Sequence, residues 1–436
     1  MPSRKSVFLI WVTLAAGCAA PSSTGSIDPA SASTEDLLEH ARAILRDTPL
    51  IDGHNDLPWQ YHKRVNNRLD QLDLADDLTA LDNPTHTDIP RLRAGGVGGQ
   101  FWSVYIPIAE HGGRDGDVRA VLEQIDLVHR MAERYSDDFE IAYTADDVER
   151  IHASGRIASL IGMEGGHSIE NSLAALRMLY DVGARYMTIT HSKSTLWADS
   201  ATDEARYGGL TRFGEEVIRE MNRLGMLVDL SHVSAETMHD ALDVSRAPVI
   251  FSHSSAFSVC GHVRNVPDDV LVRLKENGGV VMVTFLTAYV SEERRHWRER
   301  QGNERLRLKS FYRAEHEQDR VDTGLAAWRA ANPPPDATLA QVADHIDHIR
   351  DVAGIDHLGI GSDYDGMPPG PVGLEDVSCY PNLIVELLRR GYRDDEIRKI
   401  VGRNVLRVMR KAERVSARLR RSRPPSDVTR EELDGQ

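Results

Sequence analysis

Six short apolar runs in this chain end in residues that can do chemistry. They close as Ile51-Asp52-Gly53-His54-Asn55-Asp56, Ile161-Gly162-Met163-Glu164-Gly165-Gly166-His167, Thr190-His191-Ser192, Asp229-Leu230-Ser231-His232, Phe251-Ser252-His253-Ser254 and Gly361-Ser362-Asp363-Tyr364-Asp365-Gly366. One histidine after a strand is usually a satisfied structural group. Histidines after run upon run, with carboxylates beside the first, second and last, form a set that chance does not explain. Imidazole mixed with carboxylate suits a borderline cation such as Zn²⁺. His54 and Asp56 stand two apart in an extended segment, so both side chains fall on one side and can grip one ion. His232 and His253 follow neighbouring runs and can grip a second, with Glu164 positioned to bridge the two. Two cations about 3.5–4 Å apart that share a hydroxide and polarise a carbonyl are the usual machinery of metal-assisted hydrolysis.

Such a set works only if the fold brings the ends of distant runs together. Eight candidates for buried strands cover residues 48–52, 99–106, 158–162, 186–190, 226–230, 248–252, 279–285 and 357–361. Between most of them the apolar spacing turns helical, as over residues 168–182 and 213–224. Strands alternating with helices indicate a parallel sheet with crossover connections. Eight is the number that closes a (β/α)8 barrel of the TIM type, whose active sites sit at the C-terminal ends of the strands. No Gly-rich dinucleotide fingerprint follows the first run, which counts against an open doubly wound sheet.

From about residue 50 to residue 409 the chain resembles the renal, or membrane, dipeptidases and their bacterial relatives. The likeness is carried by DGHNDLP, GMEGGHS, THS with WAD shortly after, LVDLSHVS, PVIFSHSSA, RNVPDD, GIGSDYDG and GRNVLRV, which are specific together and not singly. The resemblance implies a distorted barrel, two Zn²⁺ per chain, a homodimer, and hydrolysis of dipeptides with a free C-terminal carboxylate; whether the second position takes an L-residue only or a D-residue as well stays open. It implies that His54 and Asp56 hold one zinc, that His232 and His253 hold the other, and that Glu164 bridges them. His191 would contact substrate and steady the tetrahedral oxyanion, Arg264 would receive the substrate carboxylate, and Asp363 would carry the proton. The shorter members lack the long stretch over 290–338, so the rim of the site departs from their pattern there.

Other residues with suggestive spacing have plainer readings. Asp344, His345, Asp347 and His348 fall mid-helix beside Ile346 and Ile349 and read as a solvated helix face. Asp365 precedes Gly366 and reads as a turn or cap residue. Asp52 is expected to orient the strand end, and His167 to stand behind the ligands. Two rival functions are weighed. Lactone, phosphotriester or deamination chemistry in the same barrel commonly uses His-x-His after the first strand, whereas this chain has His-x-Asp. A surface lipoprotein that binds metal or peptide without turnover would have no use for Asp363 beside a complete ligand set.

Lys and Arg total 52 against 67 Asp and Glu, a net charge of −15 with histidine neutral. That balance argues against nucleic acid as a partner, since phosphate binding needs a basic face. Arg4 and Lys5 precede an apolar run over 7–16 that is too short to span a bilayer. The run ends in Leu14-Ala15-Ala16-Gly17-Cys18, which resembles a bacterial lipoprotein cleavage site. Residues 1–17 are expected to be a signal peptide. Cys18 would be the lipidated first residue of an exported protein held to a membrane, facing the periplasm or cell exterior. Residues 18–40 read as a flexible tether, 41–412 as the barrel with a solvated insertion at 290–338, and 413–436 as a frayed charged tail.

Overall fold

The computed structural model describes residues 29, 31–108, 117–312 and 317–435. The signal peptide, Cys18 and the first part of the tether lie outside the described residues. Among the described residues nine strands occur: β1 (Leu50–Asn55), β2 (Val97–Tyr105), β3 (Phe139–Ile141), β4 (Ile157–Glu164), β5 (Ala184–Thr188), β6 (Leu227–Asp229), β7 (Ile250–Phe251), β8 (Val280–Val283) and β9 (Leu358–Ile360). Their order is β2-β1-β9-β8-β7-β6-β5-β4, every pair is parallel, and β2 also pairs with β4, from Gly99↔Ala158 to Tyr105↔Glu164. Eight strands therefore close on themselves as an α/β barrel of the TIM type. The ninth, β3, pairs only with the start of β4 (Phe139↔Ile157) and was not legible as a strand. It shares with β5 the edge of β4 that faces away from β2.

Alternation along the strands separates two apolar regions. Ile51, Phe101, Leu160, Tyr186, Ile250 and Met282 belong to an inner cluster, whereas Trp102, Ile161, Met187, Phe251, Val281 and Leu358 join the layer under the helices. The inner cluster continues into Val405, Leu406, Val408, Met409 and Ala412 of the helix Asn404–Ser422. That helix lies under the strand starts, where Asn404 Nδ2 donates to Leu358 O (2.9 Å) and Arg407 Nη1 to Gly278 O. The bottom of the barrel is thus covered by that helix, and the strand-end residues lie at the opposite, C-terminal mouth.

Three expected boundaries differ. The helix Thr34–Asp47 starts inside the stretch read as tether, because Ser33 and Asp36 form a capping box and Leu37, Ala41, Ile44 and Leu45 are buried. The C-terminal tail is docked rather than frayed. Ser416 Oγ donates to Arg223 O (2.7 Å), and Asp434 accepts from Thr211 Oγ1 (2.6 Å) and Phe213 N (3.1 Å) at the start of the helix Arg212–Leu224. His345 is no part of a solvated face: it is buried, with Nδ1 accepting from Ala256 N (3.1 Å) and Nε2 against Val290 O (3.0 Å). Its neighbours Asp344 and Asp347 pair with Arg390, and His348 with Asp268, so all four are structural. The insertion folds as two helices, Glu292–Tyr312 and Gln318–Ala331, which pack through Leu308, Val321 and Leu325.

Inside the barrel Gly162 of β4 stands in register with Tyr186 of β5, and a Cβ built at Gly162 would overlap the Tyr186 ring. Gly162→Ala is expected to lower the unfolding free energy by about 1–3 kcal/mol through overpacking, read from the urea midpoint. An unchanged midpoint would show that the ring has room to move.

Candidate active site

The strand ends place the chemistry. β1 runs on through His54, Glu164 ends β4, and His191, His232 and His253 follow β5, β6 and β7. Asp363 follows β9, in a loop tied to β1: Asp363 N donates to His54 O (3.2 Å) and Asp56 N to Tyr364 O (2.9 Å). His232 (φ 73°), Asp363 (φ 70°) and Asp365 (φ 65°) hold left-handed backbone, which costs a residue with a Cβ on the order of 1 kcal/mol. Gly366 keeps the same loop close, since a Cβ there would meet the Asp56 and Asp363 carboxylates.

Two buried aspartates fix these ends. Asp52 accepts from Ser362 N (2.7 Å), Ser362 Oγ (2.7 Å), Tyr380 OH (2.9 Å), Gln100 Nε2 (3.0 Å) and His54 N (3.3 Å). Asp229 accepts from Thr188 Oγ1 (2.5 Å), Ser252 Oγ (2.6 Å), Ser252 N (2.8 Å) and Ser231 N (3.1 Å). The Ser252 hydroxyl, its proton committed to Asp229, takes the Nδ1–H of His253 (2.8 Å). In the same way Tyr186 OH donates to Gly53 O (3.1 Å) and takes the Nδ1–H of His54 (2.8 Å). Both rings then present a bare Nε2 to the mouth, the tautomer a metal ligand needs.

Glu164, 5% exposed, is the centre of the site. Its Oε1 lies 3.1 Å from His232 Nε2, 3.4 Å from His253 Nε2, 3.6 Å from His54 Nε2 and 3.8 Å from His191 Nε2. Asp56 Oδ2 is 3.4 Å from His54 Nε2, and the Nε2 atoms of His232 and His253 are 2.9 Å apart. Three groups could each hold a cation: His54, Glu164 and His253; Glu164, His191 and His232; and His54, Asp56 and Asp363. These cut across the expected partition, because all four imidazoles crowd one carboxylate oxygen. The donors fit a metal: His54 Nε2, Asp56 Oδ1, His191 Nδ1 and His232 Nδ1 are buried without a hydrogen-bond partner among the described residues.

Burial opposes charge on Glu164, but His54, His191 and His232 overcome it and hold the carboxyl well below the usual glutamate value. Burial, reinforced by Arg264 and neighbouring imidazoles, drives His232 and His253 well below the usual histidine value, and burial lowers His191 too. His54 moves the other way. Burial opposes its charge, but Tyr186, Glu164 and Asp56 outweigh that and hold its value well above the usual histidine range. Asp363 is raised well above the usual aspartate value by burial, with Asp56 and Glu164 adding to it against His54. One carboxylate held ionised beside one whose proton affinity is raised is the division of labour acid–base chemistry uses.

A cavity of about 350 Å³ opens over these groups. Arg264, 1% exposed, lines it with its guanidinium over the Tyr289 ring (5.4 Å) and Nη1 3.4 Å from Ser254 Oγ. Among the described residues no carboxylate pairs with it, and its Nε is unpartnered. Among the described residues of the insertion none lines the cavity, although Leu286 and Tyr289 just before it do. His167 stands behind the centre with Nε2 at Ile106 O (2.9 Å), and Asp365 accepts from His86 N (2.8 Å). Sequence reasoning missed Tyr186, Asp229, Ser252 and Tyr289. Asp229 had a signal, since Asp229-x-Ser231 repeats the backbone turn of Asp52-x-His54; a strand tyrosine such as Tyr186 carries none.

The family model described as membrane dipeptidase, peptidase family M19, matches residues 38–423. Dipeptidase verJ of Clonostachys rogersoniana is 42% identical over 395 residues, which cover 88% of this chain and 90% of that protein. The probable dipeptidase PvdM of Pseudomonas aeruginosa superposes with a TM-score of 0.74 at 22% identity, over 88% of this chain and 100% of its own. A metallopeptidase of Rhodobacter sphaeroides, liganded with a phosphinate mimic of the dipeptide L-Ala-D-Ala, does so with a TM-score of 0.67 at 24% identity, over 84% and 100%. At those identities the two structures speak for the barrel alone. The verJ relative is fungal, so the expected bacterial affiliation gains nothing from it. The family match spans the barrel and every residue of the site, and the chain accordingly belongs to the membrane dipeptidases, peptidase family M19, and is a metallo-dipeptidase.

Proposed function

We propose that this chain is a binuclear zinc dipeptidase that cleaves dipeptides with a free C-terminal carboxylate and accepts a D-residue in second position. The observation that carries the reading is a cavity with the imidazole and carboxylate donors at its floor and the buried, carboxylate-free guanidinium of Arg264 in its wall. In this reading His54 and Asp56 hold one zinc, His232 and His253 the other, and Glu164 serves both. A zinc pair bound there supplies an activated water and a Lewis acid for the scissile carbonyl. Arg264 takes the substrate carboxylate through two parallel N–H donors, which sets the distance from chain terminus to scissile bond. His191, kept neutral by burial, donates a ring N–H to the carbonyl oxygen as negative charge develops on it. Asp363 takes a proton from the attacking water on a carboxylate oxygen, retains it because its surroundings favour the neutral form, and delivers it to the leaving amine. The grip of Arg264 lies beyond the second Cα and does not read its configuration, and the ligand of the Rhodobacter protein supports the same tolerance. The leader-like residues 1–17 and Cys18 support a bacterial, exported and lipid-anchored protein, and the family resemblance supports a homodimer.

Elemental analysis of purified protein is expected to find about two Zn²⁺ per chain, and Glu164→Gln to weaken both sites together. One zinc in a fully active enzyme, with Glu164→Gln harmless, would overturn the pair.

Asp363→Asn is expected to retain zinc while kcat falls by about 10²–10⁴-fold, the size of a lost acid–base group. Loss of zinc together with activity would make Asp363 a ligand instead.

A dipeptide should be cleaved far faster than its C-terminal amide, and Arg264→Lys should be nearly as damaging as Arg264→Ala, since an ammonium keeps the charge and loses the fork. Equal kcat/KM on acid and amide in the wild type would remove the carboxylate role of Arg264.

A further inference from the structure

Beside the cavity over the candidate metal centre lies a second one of about 440 Å³, and the two share Lys63 and Asp365 in their linings. Lys63 is exposed on the helix Leu57–Val65, and among the described residues it has no carboxylate partner. Arg64 lines the second cavity with only neutral acceptors, Gln60 Oε1 (2.8 Å) and Asn83 O (2.6 Å). Of the acidic residues of that cavity, Asp376 is paired with Arg91 (3.1 Å) and accepts from Ser378 (2.6 Å); Glu375 accepts from Gly373 N (2.8 Å), and Asp365 Oδ1 from His86 N (2.8 Å), while Asp365 Oδ2 has no hydrogen-bond partner among the described residues. Two cations without a carboxylate partner among the described residues, Lys63 and Arg64, therefore face a space that adjoins the site.

The barrel decides which end of a substrate reaches that space. Arg264 follows β7, whereas Trp59 and Lys63 follow β1, and Tyr105, edge-on to Trp59 (5.1 Å), ends β2. In the closed order β2-β1-β9-β8-β7, β2 stands four strands from β7, directly across a mouth of eight. A dipeptide whose carboxylate is held at Arg264 points its N-terminal residue at the Trp59–Tyr105 wall, with Lys63 at its edge. We propose that the second cavity extends the substrate site and takes the side-chain carboxylate of an acidic N-terminal residue, with Lys63 at its threshold and Arg64 beyond. This rests on the dipeptidase reading above and adds a preference to it.

The experiment compares kcat/KM for Glu-Ala, Gln-Ala and Ala-Ala with zinc-loaded wild type, Lys63→Met, Lys63→Arg and Lys63→Glu. Glu-Ala and Gln-Ala have nearly the same shape, so their ratio isolates the charge. The expected wild-type preference for Glu-Ala over Gln-Ala is about tenfold, the value of one charge-assisted hydrogen bond. It should fall towards one in Lys63→Met, persist in Lys63→Arg, invert in Lys63→Glu, and weaken with added salt. A wild-type ratio near one with Ala-Ala turned over would overturn the acidic subsite and leave the dipeptidase standing. A ratio that survives Lys63→Met and Lys63→Glu would also overturn it. Failure to cleave any of the three would overturn the dipeptidase reading, and this inference with it.

Discussion

A carboxylate taken out of water costs several kcal/mol unless positive charge or hydrogen-bond donors replace the solvent. Glu164 is such a group, faced by four imidazole nitrogens within 3.8 Å. Three of those rings, His191, His232 and His253, are themselves pushed towards neutrality by burial, so they offer lone pairs more readily than protons. A buried anion faced by one ring drawn towards charge and three that offer lone pairs is a setting that a cation completes. The rest of the molecule can be understood as the means of holding that incomplete arrangement in place.

The means are strand ends and what fixes them. The five groups come from β1, β4, β5, β6 and β7, so no local segment could assemble them. Closing the sheet brings the ends within reach, but it leaves ring orientation free. Orientation comes from a layer behind: Asp52 and Asp229 each gather backbone and hydroxyl donors from neighbouring strands, and Ser252 and Tyr186 each fix one imidazole through Nδ1. Tyr186 depends in turn on the missing side chain of Gly162. The geometry of a ligand in β1 is thereby tied to a glycine in β4 and a tyrosine in β5, and local packing faults there are transmitted to the metal centre.

The eight-strand barrel was legible because each strand is a short apolar run bounded by turn residues, and the polar groups were legible because they follow those runs directly. What escaped depended on contacts distant in sequence. β3 is three residues long and has only the start of β4 as partner, too little for a periodic signal. His345 shares its helix with Asp344 and Asp347, and nothing in the spacing says that the loop carrying Ala256 and the short helix ending at Val290 cover one residue and leave the others to Arg390. The docked tail is dense in arginine and glutamate, which reads as solvated; its register is set by Val415, Ser416 and Asp434, scattered among the charges. Likewise the capping box of Ser33 and Asp36, once a buried face follows, turns part of an expected tether into helix.

The mouth is asymmetric, and that asymmetry follows from connection length. After β7 the chain returns as a loop that carries Arg264 inward, buried against Tyr289. After β1 it turns straight into the helix Leu57–Val65, whose side chains Trp59 and Lys63 stand at the rim and reach solvent. A charge in the first position is desolvated and unscreened, which suits recognition of a group every substrate shares. A charge in the second is exposed and salt-sensitive, so it can grade substrates without being needed for binding as such. In the proposed reading, common recognition is thus built into the closed wall and variable recognition into the open one. The insertion enters after Tyr289 and its described residues stay off the lining, so its added helices leave that division as it stands.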